Sequence, residues 1–437
     1  MSARIGVVCL VVLALAGSCW ANAGRSALPL HGADLAPRGQ WREAIVPDTL
    51  DLAQRARFSI NILTNGVEPK QYYSVYQCFS FGNGKATPSN LTWNITGKYA
   101  RALPWMRVMS GSRQNLDVEL AMMRALVGQI NANGLMEYPY GGEGAPKGTS
   151  YPLVSAITAL SLLNWYQRDR NPVWLDYART LCDGLNKFVV RAGDRAYYPP
   201  ECGVTSDGQW HWSTRGQSFY PYNPPEEMTF DQQGFEGSAK FEQSQEFRVL
   251  ALGSVLFGKR DYLDTAQEVA QFCLKPGMWE DTTPEGYPGS EHGIFAGHFH
   301  GNITTLHGLL DLAMVENDSR LKQIVKEGYD QAVRNGVVRM GWFPSWIKPD
   351  QYKRPAFFHG VNEGCGVGDV LILAVKLTDA GLGNYWDDVG YIVRNYLTEQ
   401  QVVDLEQMRK CAGVSGGSDE VLKKFLGGFG MARPNSM

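Results

Sequence analysis

The sequence predicts a mainly α-helical chain folded as an (α/α)-type toroid, a ring of helical hairpins with its long loops gathered on one face. Three observations predict it. Beyond residue 110, apolar residues recur at i, i+3, i+4 and i+7 in stretch after stretch, the spacing of amphipathic helices. The helical stretches come in pairs joined by short connectors, which force antiparallel neighbours. Successive pairs are separated by long polar-aromatic segments at 197–233, 278–300 and 341–363, and loops of that length in a compact domain are usually functional.

In chain order, residues 1–23 read as an export signal: Arg4 supplies the positive charge, Ile5 to Gly17 the apolar run, and Ala21-Asn22-Ala23 the cleavage site. The run is shorter than a bilayer span. The mature chain is therefore expected to be secreted or periplasmic, with lipidation at Cys19 as the alternative. Residues 24–110 read as an irregular segment with short strands, where Val75, Phe79 and Phe81 stand among Gly, Asn and Ser. The toroid is placed at 111–402, with helices at 115–130, 151–165, 172–190, 240–257, 260–272, 304–314, 319–335, 367–380 and 386–399. Asn133-Gly134, Gly258, Lys275-Pro276-Gly277 and Gly381-Leu382-Gly383 punctuate them. Residues 403–437 read as a C-terminal tail.

A net charge of −3 with no basic tract argues against a nucleic-acid partner. No later segment is long and apolar enough to predict a membrane span. Outside the signal, Cys78, Cys182, Cys202, Cys273, Cys365 and Cys411 are too widely and irregularly spaced for a disulfide framework. Export still permits a bridge between Cys182 and Cys202 or Cys273. The 12 Trp, 20 Tyr and 18 Phe suit the apolar C–H faces of sugar rings as well as a large core.

The most informative stretch is Asn362-Glu363-Gly364-Cys365-Gly366-Val367-Gly368-Asp369, running into an apolar helix. A carboxylate and a thiol two residues apart can reach one metal ion, and zinc takes such oxygen at about 2.0–2.2 Å and sulfur at about 2.3 Å. A helix N-terminus favours both in their charged forms. The loop 290–301 adds His292, His298 and His300, with His307 on the same helical face as His300. These histidines suit zinc ligation, contact with substrate hydroxyls, or a place at a helix start. No nearby Asp or Cys completes a tetrahedral set around His-x-His.

Gly297-His298, the helix ending Leu309-Leu310-Asp311-Leu312-Ala313 and the Glu363-Gly364-Cys365 segment together resemble the catalytic module of glycoside hydrolase family 127. Its known members are β-L-arabinofuranosidases on an (α/α)6 barrel, so the resemblance implies an (α/α)6 toroid of helical hairpins here. The resemblance spans roughly residues 100 to 400 as a pattern of hairpins, and Glu-x-Cys is its specific part. It implies that Glu363 and Cys365 are the first two ligands of a zinc ion. It further implies a thiolate nucleophile, an upstream acid/base and retention of configuration. The family's adjacent Cys-Cys pair is absent; the only later thiol is Cys411, expected as the third ligand, and the chain reads as truncated. No Glu lies between Arg339 and Asn362, which leaves Asp350 as the acid.

Other carboxylates compete. Glu226-Glu227, Asp231 and Glu236 are interleaved with Tyr220, Tyr222 and Phe230 in a long loop, as hydrolase or lyase chemistry requires. Asp117 and Glu119 cannot share a helix face, and Asp369 reads as a first-turn helix charge. Trp210, Trp212, Tyr220, Trp342, Trp346 and Phe357-Phe358 are candidate sugar platforms. The expectation is a secreted glycoside hydrolase acting on an oligo- or polysaccharide, with Asp350 and Glu363 catalytic and zinc on Glu363, Cys365 and Cys411. His298, His300, Trp342, Trp346, His359, Asp231 and Glu236 are expected to hold substrate. The alternatives are a metal-independent glycosidase or polysaccharide lyase on the same toroid, and a non-catalytic glycan-binding module.

Overall fold

The computed structural model describes residues 50–82, 85–93, 95–139, 147–192, 195–200, 202–211, 238–274, 279, 297–347, 360–412 and 419–429. The export signal read at 1–23 lies outside them. No helix among the described residues is long and apolar enough to cross a membrane.

The helices alternate between two environments, and the sequence differs accordingly. α1 (Leu52–Asn65), α2 (Thr96–Ser110), α3 (Leu116–Val127), α4 (Pro152–Asp169) and α5 (Pro172–Phe188) form the first part of the chain. They are followed by α6 (Ser238–Phe257), α7 (Arg260–Cys273), α8 (Phe299–Glu316), α9 (Ser319–Val333) and α10 (Gly364–Asp379). α2, α4, α6, α8 and α10 pack side by side in that order, while α5, α7 and α9 each cover a junction between two of them. A covering helix needs only one apolar stripe, and α5 has it in Trp174, Tyr177, Ala178, Leu181 and Leu185. An inner helix has neighbours all round, so α4 and α8 are buried over most of their surface, including Ser155, Thr158, Ser161, Thr304 and Thr305.

The first helices were not legible. Within 50–110, α1 and α2 flank a three-stranded antiparallel sheet of β1 (Val67–Glu68), β2 (Ser74–Gly82) and β3 (Lys85–Thr92). α2 buries Thr96, Gly97, Ala100, Pro104 and Ser110, small or polar residues that leave little apolar periodicity. Its Arg107 donates from Nε to Glu119 at 2.7 Å, and Arg168 reaches the same carboxylate at 2.8 Å. One buried acid thereby ties α2, α3 and α4 together. The ring also starts two later helices early: α8 begins at Phe299 rather than 304, and α10 at Gly364 rather than 367. His300 and Cys365 are therefore helical residues rather than loop residues.

α11 (Trp386–Ile392) covers α10 and continues through a π-helical turn, Val393–Leu397, to Gln400. The segment beyond 403 contains α12 (Leu405–Ala412) and α13 (Asp419–Phe425). Asn61 of α1 donates to the carbonyls of Lys423 and Leu426, which docks α13 on the start of the chain. Short antiparallel pairs are made by β4 (Val190–Ala192) with β5 (Arg195–Tyr197), and by β6 (Gly203–Val204) with β7 (Trp210–His211). Cys182, Cys202 and Cys273 are buried free thiols, so none of the bridges considered among them forms.

The turn at Asn133-Gly134 seats against α5 at Gly184, where an added Cβ would lie 2.2 Å from the Gly134 carbonyl oxygen. Gly184→Ala is therefore expected to destabilise by about 1–3 kcal/mol, read as a lower denaturation midpoint at unchanged slope.

Candidate active site

Inner helices α2, α6, α8 and α10 run parallel, and their first turns meet at one end. α8 and α10 pack together at Gly366, whose added Cβ would sit 3.1 Å from the Phe299 ring. This is the physical reason for glycine in the Gly364-Cys365-Gly366 turn. The antiparallel pair β8 (Gly297–His298) and β9 (Trp346–Ile347) sets His298 opposite Trp346 just before α8. Their rings stack at 5.3 Å between centroids, 14° from parallel.

Glu363 is the N-cap of α10, yet its side chain caps no backbone amide. The carboxylate turns instead to His298, with Oε2 2.8 Å from Nε2, and to Cys365, whose Sγ lies 2.7 Å from Oε1. Burial alone would raise the Glu363 pKa, but the adjacent His298 outweighs it and holds the carboxyl at about 2. Cys365 is exposed to solvent. Desolvation by the surrounding protein, then the Glu363 charge, push its thiol well above the usual range.

A second imidazole–carboxylate pair lies beside the first. His300 Nδ1 is 2.6 Å from Asp369 Oδ2, and the Thr304 hydroxyl donates to the same oxygen at 2.6 Å. One helical turn on, His307 donates from Nε2 to the Asp369 carbonyl at 2.9 Å. Burial lowers the His307 pKa to about 3, which keeps this ring neutral. Asp369 is held well below the ordinary carboxylate range, because His300 outweighs the cost of its burial. Deeper still, Asp311 receives both Lys376, at 2.6 Å, and Arg248, at 2.5 Å.

Of the sequence-predicted residues, His298, His300, Trp346, Glu363 and Cys365 come together. Trp346 is buried beneath His298 and presents no open platform. Trp342 is half-buried and closes a turn through paired backbone bonds with Val337. Asp350, His359, Asp231 and Glu236 lie outside the described residues, as does the Cys411 side chain. α12, which carries Cys411, packs through Leu405 and Met408 into a satellite cluster with Ala86 and Leu422, separate from the main core. Among the described residues, no group of three or more His, Cys, Asp and Glu side chains is arranged to hold a metal ion.

Sequence reasoning missed Asp369, taken for a helix-start charge. Its signal was the polar stripe His300, Thr304, His307 and Asp311 on an otherwise apolar α8. It also missed Tyr396, in the π-helical turn. The Tyr396 hydroxyl is buried without a hydrogen-bond partner, and an added Cβ at Gly364 would lie 3.5 Å from it. Burial, with Cys365 and Glu363 nearby, raises its pKa to about 12. π-Turns of this kind often mark functional positions. Nothing in the sequence pointed to Lys98 and Arg101 of α2, whose charges act on Glu363, Cys365, Asp369 and Asp311.

No protein-family model matches the chain, and no curated protein matches its sequence. Solved structures do match. The family 76 alpha-mannanase of Bacteroides thetaiotaomicron is similar at 11% identity and a TM-score of 0.50, over 82% of this chain and 86% of that one. The cellobiose 2-epimerase of Spirochaeta thermophila is similar at 10% identity and a TM-score of 0.53, over 82% and 88%. The fold is the (α/α)6 toroid. A family 127 beta-L-arabinofuranosidase of Geobacillus stearothermophilus also matches, at 12% identity and a TM-score of 0.46, over 82% of this chain and 52% of that one.

Because the Glu363 pKa falls from 4.5 in the unfolded chain to about 2 in the fold, the stability it contributes is present above pH 4.5 and is lost as pH falls towards 2. Glu363→Gln is expected to remove on the order of 3 kcal/mol at neutral pH and progressively less below pH 4.5. Urea titrations of both proteins across that window measure it, and a difference independent of pH would contradict the assignment.

Proposed function

We propose that the chain is a glycoside hydrolase that takes an oligo- or polysaccharide at the meeting point of the inner helices, with Glu363 and Cys365 at the reacting bond. The observation that carries this reading is the exposed Cys365 thiol held against the Glu363 carboxylate on the first turn of α10. The toroid shared with the alpha-mannanase supports it.

Glu363, fixed by His298 as a carboxylate, suits a base or a metal ligand and not a proton donor. The proton for the departing sugar oxygen is assigned to a separate acid, with Asp350 the first candidate and Asp231 or Glu236 the others. Burial and Glu363 keep the Cys365 thiol protonated. The Glu363 oxygen and the Cys365 sulfur are donor types that zinc takes, and further donors must come from outside the described side chains, Cys411 among them. Bound there, zinc would hold the thiol as thiolate, the form that attacks an anomeric carbon. Metal analysis of wild type beside Cys365→Ser tests this. Near-stoichiometric zinc that disappears in the variant, with retaining hydrolysis of β-L-arabinofuranosides by the wild type, is the expected outcome.

A second reading is metal-independent acid–base chemistry, by a glycosidase or a polysaccharide lyase. It is favoured by the two imidazole–carboxylate pairs, whose His298 and His300 rings are 5.6 Å apart. Activity then survives zinc chelation and falls about 100-fold or more on Glu363→Gln. No zinc and no turnover of glycans by the wild type would sink both readings.

A further inference from the structure

The geometry points to an anion subsite formed by Lys98 and Arg101 beside Glu363 and Cys365, so that the sugar bound there carries a negatively charged substituent, a carboxylate or a sulfate ester. This rests on the carbohydrate reading above and names its substrate class.

Lys98 and Arg101 stand three residues apart on α2, which puts them on one face of the helix. Asp369 and Glu363 favour the Lys98 ammonium, and Asp369 and Asp311 the Arg101 guanidinium, though none of them forms an ion pair with either. The Lys98 ammonium lies 5.0 Å from the Phe241 ring centroid, and that ring is 5.2 Å from the His300 ring. The nearby carboxylates are already engaged: Glu363 by His298, Asp369 by His300 and Thr304, Asp311 by Arg248 and Lys376. Neither the Lys98 nor the Arg101 side chain has a hydrogen-bonding or ion-pair partner among the described residues.

Both side chains are half-buried, and burial disfavours their charged forms; Arg101 falls to about 10, helped by repulsion from Arg248. Arg101 remains a cation at neutral pH. The parallel inner helices add their positive N-terminal ends to the same place. A neutral sugar offers neither side chain a charged hydrogen-bond partner. An anionic substituent supplies charge-assisted hydrogen bonds to an ammonium and a guanidinium, the latter able to bind two oxygens at once.

The test is calorimetric binding to the full chain of glucuronate and galacturonate, of glucose and galactose, of a galactose sulfate ester, and of inorganic sulfate. Wild type is compared with Lys98→Met, Arg101→Gln and the charge-retaining Lys98→Arg, each checked for an intact thermal transition. Acidic sugars are expected to bind at least tenfold tighter than neutral ones, less so as salt is added. That preference should collapse in Lys98→Met and Arg101→Gln and persist in Lys98→Arg. Preference for carboxylate over sulfate, or the reverse, identifies the substituent. Equal affinity for acidic and neutral sugars overturns the subsite while leaving the carbohydrate reading intact. An acid preference that survives both neutral variants overturns the assignment to Lys98 and Arg101. Binding of inorganic sulfate alone, with no sugar bound, overturns the subsite and the carbohydrate reading together.

Discussion

The contact on which the site depends is the one Asp369 makes with α8. Its carboxylate receives His300 and the Thr304 hydroxyl, and its carbonyl receives His307, so a single residue of α10 is fixed by three side chains of its neighbour. A buried carboxylate without partners is costly, which makes any sliding of α10 along α8 unfavourable. That register delivers Glu363 and Cys365 to His298, and Gly366 lets the two helix starts come close enough for them to meet.

The same seam sets protonation. Carboxylates that accept from imidazoles remain charged, whereas the Cys365 thiol, facing Glu363 across a short contact, is kept neutral. The site therefore sets charged carboxylates beside a neutral thiol. A cation placed against Cys365 would reverse the thiol's state, and Lys98 of α2 acts in that direction. The inner helices supply the charges that act here, and the outer helices supply the apolar cover that holds the inner ones in place.

Legibility followed the same division. α5, α7 and α9 could be read almost to their ends, because each buries one stripe and exposes the rest. α2 could not, since its buried face is built of Thr96, Gly97, Ala100, Pro104 and Ser110 beside the paired Arg107. Asp318 caps α9 and Asn171 caps α5, each accepting a backbone N–H of the first turn. Glu363 was visible, but its side chain departs from the capping role its position suggests.

By itself the sequence determined the helical pairs, the short connectors that make them antiparallel, and a Glu-x-Cys segment at a helix start, because these are local matters of periodicity and turn chemistry. Only the tertiary structure decided that His298 belongs to Glu363, that His300 and His307 belong to Asp369, and that Lys98 acts on Glu363 and Asp369 and Arg101 on Asp369 and Asp311. Those partners are some sixty residues apart for the histidines and more than 200 for the cations. They meet because parallel inner helices bring their first turns to one end of the ring, and no local pattern encodes which first turns will be neighbours.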